Sequence, residues 1–333
     1  GLAIASVFGC AGFGAITGSS AATVSTMGKI VVPEMRRFKY DMELGAGALS
    51  ASGTLGILIP PSLIFVFYGS MTDNSIGQLF IAGIIPGILT ALVFAGVIHA
   101  RCLINPDLGP PTPKPGWGVR LRSLSALAPI LGLFGLVVGG LYFGIFTPTE
   151  ASGIGVIGVL AYAVVARRIT LTALRDAVED TVLTSVMLFT IIIGGYLISR
   201  FLVLTGITAQ IIDFVGGLGL NPYVFMLVLS VFYILLGCLL DVFGMMILTI
   251  PFVYPVVMSL GFDPIWFGVY VVIMAEIALI TPPIGVNVFI MRSVTPELST
   301  ERIFRGVLPF FLAELVIVAL LVAFPSIALY LIR

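Results

Sequence analysis

Three acids stand in apolar surroundings, at Asp241, Glu276 and Glu314, and two proline pairs stand inside apolar runs, at Pro60-Pro61 and Pro282-Pro283. Asp241 closes the polar tip Gly237-Cys238-Leu239-Leu240-Asp241, between apolar runs Tyr223–Leu236 and Val242–Met258. An acid at the centre of a membrane helix costs roughly 2.5–3.5 kcal/mol on insertion scales, so it needs an ion, a water or a ligand hydroxyl. Asp is also a strong helix N-cap, and capping the arm that begins at Val242 is the plainer reading. A second tip, Thr17-Gly18-Ser19-Ser20, separates Leu2–Thr17 from Ala21–Val32. Ser19 and Ser20 are placed to cap the arm beginning at Ala21, and a half-helix N-terminus attracts a carboxylate. Ser62, directly after the first proline pair, has the same geometry. Ser19, Ser20, Ser62 and Asp241 are therefore the candidate contacts to an anionic substrate.

A Pro-Pro pair removes two N–H donors and frees carbonyls of the preceding turn. In lipid these carbonyls find no water, and a sodium ion, which takes hard oxygen ligands, suits them. The candidate ion ligands, mainly backbone carbonyls, are Gly53, Thr54 and Gly56 before Pro60, and Glu276, Ala278 and Thr281 before Pro282. Gly18 and Gly237 in the two tips complete the set. Glu276 either balances a cation or locks a neighbouring helix, and the threonine hydroxyls either ligate or bond back to their own helix. One histidine, His99, and three scattered cysteines leave no material for Ser-His catalysis or a zinc site.

The elements that must position these residues follow from composition. The chain has 333 residues, 59% hydrophobic and 10% charged, with mean hydropathy +1.19. Soluble domains are about 25% charged. A soluble enzyme, a disordered chain and a nucleic-acid binder are excluded; the basic and acidic counts, 16 and 16, say nothing of partners. An all-α polytopic membrane protein remains. Spans are expected over about Leu44–Met71, Phe80–Ala100, Leu124–Phe146, Ala151–Ala166, Val182–Ser199, Ile265–Met291 and Val307–Leu331, with a short interfacial helix over Arg175–Thr181. The two apolar pairs joined by polar tips, 2–32 and 223–258, read as re-entrant hairpins. The chain starts at Gly1 within an apolar run, which reads as a fragment without its true N-terminus.

Charge placement supports this topology. With both hairpins re-entrant from opposite faces, one side holds Arg36, Arg37, Lys39, Arg101, Lys114, Arg120, Arg122, Arg167, Arg168, Arg175, Arg292, Arg302 and Arg305. The other holds only Arg200 and Arg333. That is the positive-inside bias of a cytoplasmic face. The loop Asn105–Ser123, with Pro106, Pro110, Pro111, Pro113 and Pro115, becomes a stiff cytoplasmic connector.

A shift of 222 residues superposes Pro33 on Pro255, Asp41 on Asp263 and Pro60-Pro61 on Pro282-Pro283. Ser75–Phe80 and Ser299–Phe304 continue the likeness. The expected organisation is a first repeat core at 1–78, connecting membrane helices and scaffold at 79–221, a second repeat core at 222–292, and a C-terminal loop and helix at 293–333. Hairpins entering from opposite faces make the repeat inverted, the pattern of secondary transporters whose sites lie near the midplane.

Gly53-Thr54-Leu55-Gly56-Ile57-Leu58-Ile59-Pro60-Pro61-Ser62 resembles a signature of the large membrane subunit of TRAP (tripartite ATP-independent periplasmic) transporters. So do Ser75-Ile76-Gly77, Ala82-Gly83-Ile84-Ile85-Pro86-Gly87 and Phe146-Thr147-Pro148-Thr149-Glu150-Ala151. Gly261-Phe262-Asp263-Pro264 and Thr281-Pro282-Pro283-Ile284-Gly285 continue the resemblance along nearly the whole chain. It implies an elevator-type, sodium-driven importer of a small organic acid in a bacterial or archaeal cytoplasmic (inner) membrane. It also implies a small four-helix membrane subunit, a periplasmic substrate-binding protein and no cofactor beyond the coupling ion Na+. Ala278 stands where the family often has Gly, and supplies the same carbonyl. The competing readings are a stand-alone sodium/carboxylate elevator, an intramembrane enzyme using Asp241 and Glu276, and a structural scaffold. No GxxxxGK[ST] motif occurs, so the chain carries no Walker site for ATP. Glu314 is expected at a structural or subunit contact, and Glu150 at a helix start.

Overall fold

The computed structural model describes residues 1–111, 116–167, 169–217, 219 and 221–332. Pro113, Lys114 and Pro115 of the expected connector, together with Arg168 and Arg333, lie outside the described residues, as do the side chains of Arg120 and Arg122. Every regular element among the described residues is helical. Five helices are long and apolar enough to cross a membrane, or six with one bent pair.

Helices α1 (Leu2–Thr17) and α2 (Ser20–Arg37) form the first hairpin. Gly18 turns the chain at φ 60°, a conformation that favours glycine, and Ser19 caps α2 by accepting from the Ala22 N–H at 3.4 Å. α2 runs beyond the expected Val32, through Pro33, to Arg37. Arg36 and Arg37 lie in its last turn, where cations complement the helix dipole. Next come α3 (Met42–Ser52), capped by Asp41, then α4 (Leu55–Leu58) and α5 (Leu63–Thr72). The helix before the first proline pair and the one after it meet at a 42° bend. α6 (Ile76–Ile104) is capped by Ser75.

α7 (Trp117–Tyr142) and α8 (Pro148–Val165) pack on each other. A capping box opens α8: Glu150 Oε2 accepts from the Thr147 N–H at 2.8 Å, and Thr147 Oγ1 accepts from the Glu150 N–H at 3.3 Å. Glu150 is thus the helix-start acid anticipated above. α9 (Leu171–Leu204) is one continuous helix and absorbs the interfacial helix expected over Arg175–Thr181. Neither glycine nor proline interrupts 171–193, so nothing ends the helix there. α10 (Ile207–Gly217), not expected from hydropathy because it is short, packs on a later helix.

The second hairpin comprises α11 (Pro222–Gly237) and α12 (Val242–Ser259), followed by α13 (Pro264–Ile280), α14 (Val286–Val294), α15 (Thr300–Ala323) and α16 (Ser326–Leu329). Helix starts in the two regions carry similar caps: Asp241 starts α12 and Ser19 starts α2, Asp263 starts α13 and Asp41 starts α3, and Ser299 starts α15 and Ser75 starts α6. The expected span Val307–Leu331 divides at Phe324-Pro325 into α15 and α16.

Two compact units result, Gly1–Thr112 with Leu197–Arg333, and Pro113–Tyr196. In the first, α13 is buried along nearly its whole length, with Trp266, Phe267 and Tyr270 in its core. α3 and α15 cross where Gly47 meets Gly306, and a side chain at either position would strike the other helix's backbone. Small residues that let backbones approach are how membrane helices associate. α6 packs on α1, α13 and α15 within this unit. In the second unit the apolar faces of α8 and α9 are exposed, including Ile157, Leu183 and Phe189, as suits lipid or another membrane chain.

Candidate functional site at two hairpin tips and two proline breaks

Pro60 and Pro61 offer no N–H to the carbonyls of Gly56 and Ile57, one turn earlier. The Ser62 hydroxyl, buried, donates to the Ile57 carbonyl at 2.5 Å and accepts from the Phe65 N–H at 3.3 Å. It bridges the break and caps α5 with one side chain. The Gly56 carbonyl has no such neighbour on its own helix. Against this turn lies the first hairpin tip. A Cβ on Gly56 would stand 2.8 Å from Thr23 Oγ1 and 3.0 Å from the Ser19 carbonyl, and one on Gly18 would stand 2.8 Å from the Pro61 carbonyl. Glycines at both positions let tip and break touch through backbone, bringing oxygen atoms of both together. The Thr17 and Thr23 hydroxyls, 3.2 Å apart, join them, and Thr23 donates to the Ser19 carbonyl at 2.8 Å.

Ser19 is half-buried at this junction. Ser20 is buried and faces the other way: its hydroxyl donates to Asn287 Oδ1 of α14 at 2.9 Å, and Asn287 Nδ2 donates to the Ser50 carbonyl of α3 at 2.9 Å. Asn287 therefore ties the start of α2 to α3 and to the helix after the second break. The sequence did not single it out, because its mate in the 222-residue shift is Phe65. Its signal was a lone amide six residues after Thr281 in an apolar run.

At the second break the same offsets recur. Pro282 removes the N–H that would meet the Ala278 carbonyl, which receives only a long 3.4 Å bond from the Thr281 N–H. The Thr281 hydroxyl bonds back to the Ile277 carbonyl at 2.6 Å. A Cβ on Gly237 would stand 2.5 Å from that of Ala278, so the second tip rests on this break as the first rests on its own. Here the surroundings are open: Pro282, Pro283, Ile284 and Asp241 are exposed, whereas Pro60 and Ser62 are buried. Asp241 accepts from the Phe243 N–H at 3.1 Å and the Gly244 N–H at 3.3 Å, so it is a cap with its remaining lone pairs toward the open side.

Gly53 and Thr54 interrupt the helix between α3 and α4, while Glu276, the mate of Thr54, lies within unbroken α13. Glu276 faces the Thr54 hydroxyl, which itself donates to the Ala51 carbonyl at 2.8 Å. Glu314, expected at a structural or subunit contact, is fully buried within this chain.

The arrangement is that of a polytopic helical membrane protein whose polar atoms gather where helices break. A family model for the DctM component of the tripartite ATP-independent periplasmic transporter matches residues 1–327. The C4-dicarboxylate TRAP transporter large permease protein DctM of Pseudomonas aeruginosa is 36% identical over 334 residues, covering 99% of this chain and 77% of that protein. The ectoine/5-hydroxyectoine TRAP transporter large permease UehC of Ruegeria pomeroyi is 31% identical, with 99% and 77% covered. The sialic acid TRAP transporter large permease SiaM of Vibrio cholerae is 28% identical, with 96% and 74% covered. The chain belongs to the DctM family of TRAP transporter large permeases. It is a multi-pass membrane transport protein and not an enzyme.

Proposed function

We propose that this chain is the translocating subunit of a sodium-coupled importer of a small organic acid in a bacterial inner membrane. The observation that carries the reading is the pairing of each hairpin tip with a proline break, Gly18 and Ser19 against Gly56 and Pro61, Gly237 against Ala278. Each pairing includes a carbonyl freed by its proline break, that of Gly56 without a neighbour on its own helix and that of Ala278 with only a long bond from Thr281, and such oxygens suit a hard monovalent cation. Sodium is held by Gly18, Gly53 and Gly56 at one break and by Gly237, Ala278 and Thr281 at the other, while Thr54 and Glu276, which face each other, supply side-chain oxygens to bound sodium between α4 and α13. The substrate lies between the tips, its carboxylate at the N-terminal end of α2 beside Ser19, and Asp241 at the start of α12 meets a substrate hydroxyl, a water or an ion. Ser20 and Ser62 act behind them, holding the tip and the break in place.

The two element series are read as inverted repeats, and the hairpins move as a body across the membrane in an elevator cycle. A sodium ion crossing down the potential contributes about 2.3 kcal/mol per 100 mV. Relatives named for dicarboxylates and sialic acid support an acidic substrate, delivered by a periplasmic binding protein. A relative named as a DctMQ permease supports a small membrane subunit as partner.

The test is uptake of a panel of labelled acids into proteoliposomes holding the full-length chain, its small subunit and the cognate binding protein. Uptake requiring both the binding protein and an inward sodium gradient supports the reading. Uptake without the binding protein moves the chain to the stand-alone elevators, and uptake indifferent to sodium removes the coupling ion.

A further inference from the structure

Glu276 and Glu314 are both 0% exposed, and none of their four carboxyl oxygens has a hydrogen-bond partner. A buried charge without a partner costs several kcal/mol, and buried polar groups in folded proteins are nearly always met. The packing brings the two acids together. α15 runs alongside α3 in the same direction: Arg302 pairs with Glu43 at 3.5 Å, and Gly306 meets Gly47. Two turns further on, Glu314 comes level with the Gly53-Thr54 interruption. α13 packs on both α4 and α15 and brings Glu276 there, within the electrostatic reach of Glu314.

No base meets them. The ion pairs among the described residues, Arg36–Glu297, Arg37–Glu34, Arg302–Glu43 and Arg305–Glu301, lie elsewhere. No hydroxyl proton meets them either. Thr54 faces Glu276, yet its proton goes to the Ala51 carbonyl at 2.8 Å, which leaves its oxygen lone pairs turned toward an electrophile. The nearby helices add buried hydroxyls without partners, Ser50 and Ser52 on α3 and Thr90 on α6. Carboxylates and hydroxyl oxygens without donors are the ligand set of a hard cation.

We propose that Glu276 and Glu314 jointly hold one sodium ion, one carboxyl ionised and the other keeping its proton so that the charges balance, with the Thr54 hydroxyl oxygen as a third ligand, where the break between α3 and α4 meets α13 and α15. The ion's identity rests on the sodium-coupled reading; the site, and Glu314 as a ligand, go beyond it. Its ligands come from the first break and from two helices, so the bound ion clamps that break to α13 and α15.

The test is equilibrium binding of labelled sodium, with thermal unfolding in NaCl, KCl and CaCl2 at matched ionic strength. It uses the full-length chain with its small subunit in lipid nanodiscs. Glu314→Gln is expected to remove one ion from the stoichiometry, or to weaken one class of site by about tenfold or more. Thr54→Val, which keeps shape and fold, is expected to weaken the same class severalfold. Wild-type stoichiometry and affinity in both variants overturn the proposal, as does stabilisation by calcium alone. Sodium-driven uptake that persists unchanged in Glu314→Gln rejects this site and leaves sodium coupling standing. Absence of sodium binding in the wild type rejects both.

Discussion

At the residue scale, the sharpest discrimination lies at Asp241. Its carboxylate caps α12 through two backbone N–H groups. Asn caps nearly as well as Asp, whereas Ala loses roughly 1 kcal/mol. Asp241→Asn is therefore expected to unfold at the wild-type temperature and yet lose uptake, while Asp241→Ala loses both. Equal uptake by Asp241→Asn and wild type would confine this residue to capping. Gly56 and Ala278 give a second contrast. Gly56→Ala drives a methyl into the Ser19 carbonyl and Thr23, and overpacking of this kind costs about 1–3 kcal/mol. Ala278→Gly keeps the carbonyl and relieves the Gly237 contact, so its sodium dependence is expected to match wild type in the same uptake assay.

At the element scale, the starts of α2 and α12 were legible because their cap signals are local, whereas the spans expected from Phe80 and Val307 begin earlier, at Ile76 and Thr300. Ser19, Asp41, Ser75, Asp241, Asp263 and Ser299 all cap the helices that follow them. The hairpin arms ended where Gly18 and Gly237 stand, close to the expected bounds. The start of α9 was not legible, because Leu171–Thr181 carries Arg175, Asp176, Glu179 and Asp180 and looks interfacial by hydropathy alone. Nor was the meeting of Gly47 with Gly306, since a helix crossing has no signature in either strand of sequence by itself. That crossing makes its own prediction. Gly306→Leu places a side chain into the Glu43 carbonyl, and unfolding in detergent is expected several degrees lower, beyond the roughly 1–3 kcal/mol of ordinary overpacking. Asn287→Ala removes donors to Ser20 and the Ser50 carbonyl and is expected to cost about 1–3 kcal/mol. Amide exchange at the start of α2 should rise with it.

At the scale of the whole molecule, Arg36 at the end of α2 holds Glu297 before α15 with a 2.5 Å ion pair, a link between residues 261 apart in sequence. Partial burial raises the Glu297 carboxyl. Its own backbone, the Arg36 hydrogen bond and the charges of Arg36 and Arg292 outweigh this and hold its pKa below the usual value. Its stabilisation is present above the unfolded carboxyl's pKa of about 4.3 and lost as pH falls through the lower folded value. Both side chains are 45% exposed, so the effect is small and screened by salt. The unfolding temperatures of wild type and Glu297→Gln are expected to differ at pH 7 and converge as pH falls below 4.

The second hairpin tip also carries Cys238, half-buried, while Cys10 is fully buried and Cys102 lies at the far end of α6. In a Cys102→Ser background, Cys238 is the single thiol within reach of a maleimide, one step from the glycine that seats on Ala278. The protein thus carries its own attachment point for an optical reporter. A change in labelling rate there with sodium or substrate is the signature expected if the proposed site forms between tip and break, and a fluorophore left in place follows it in real time.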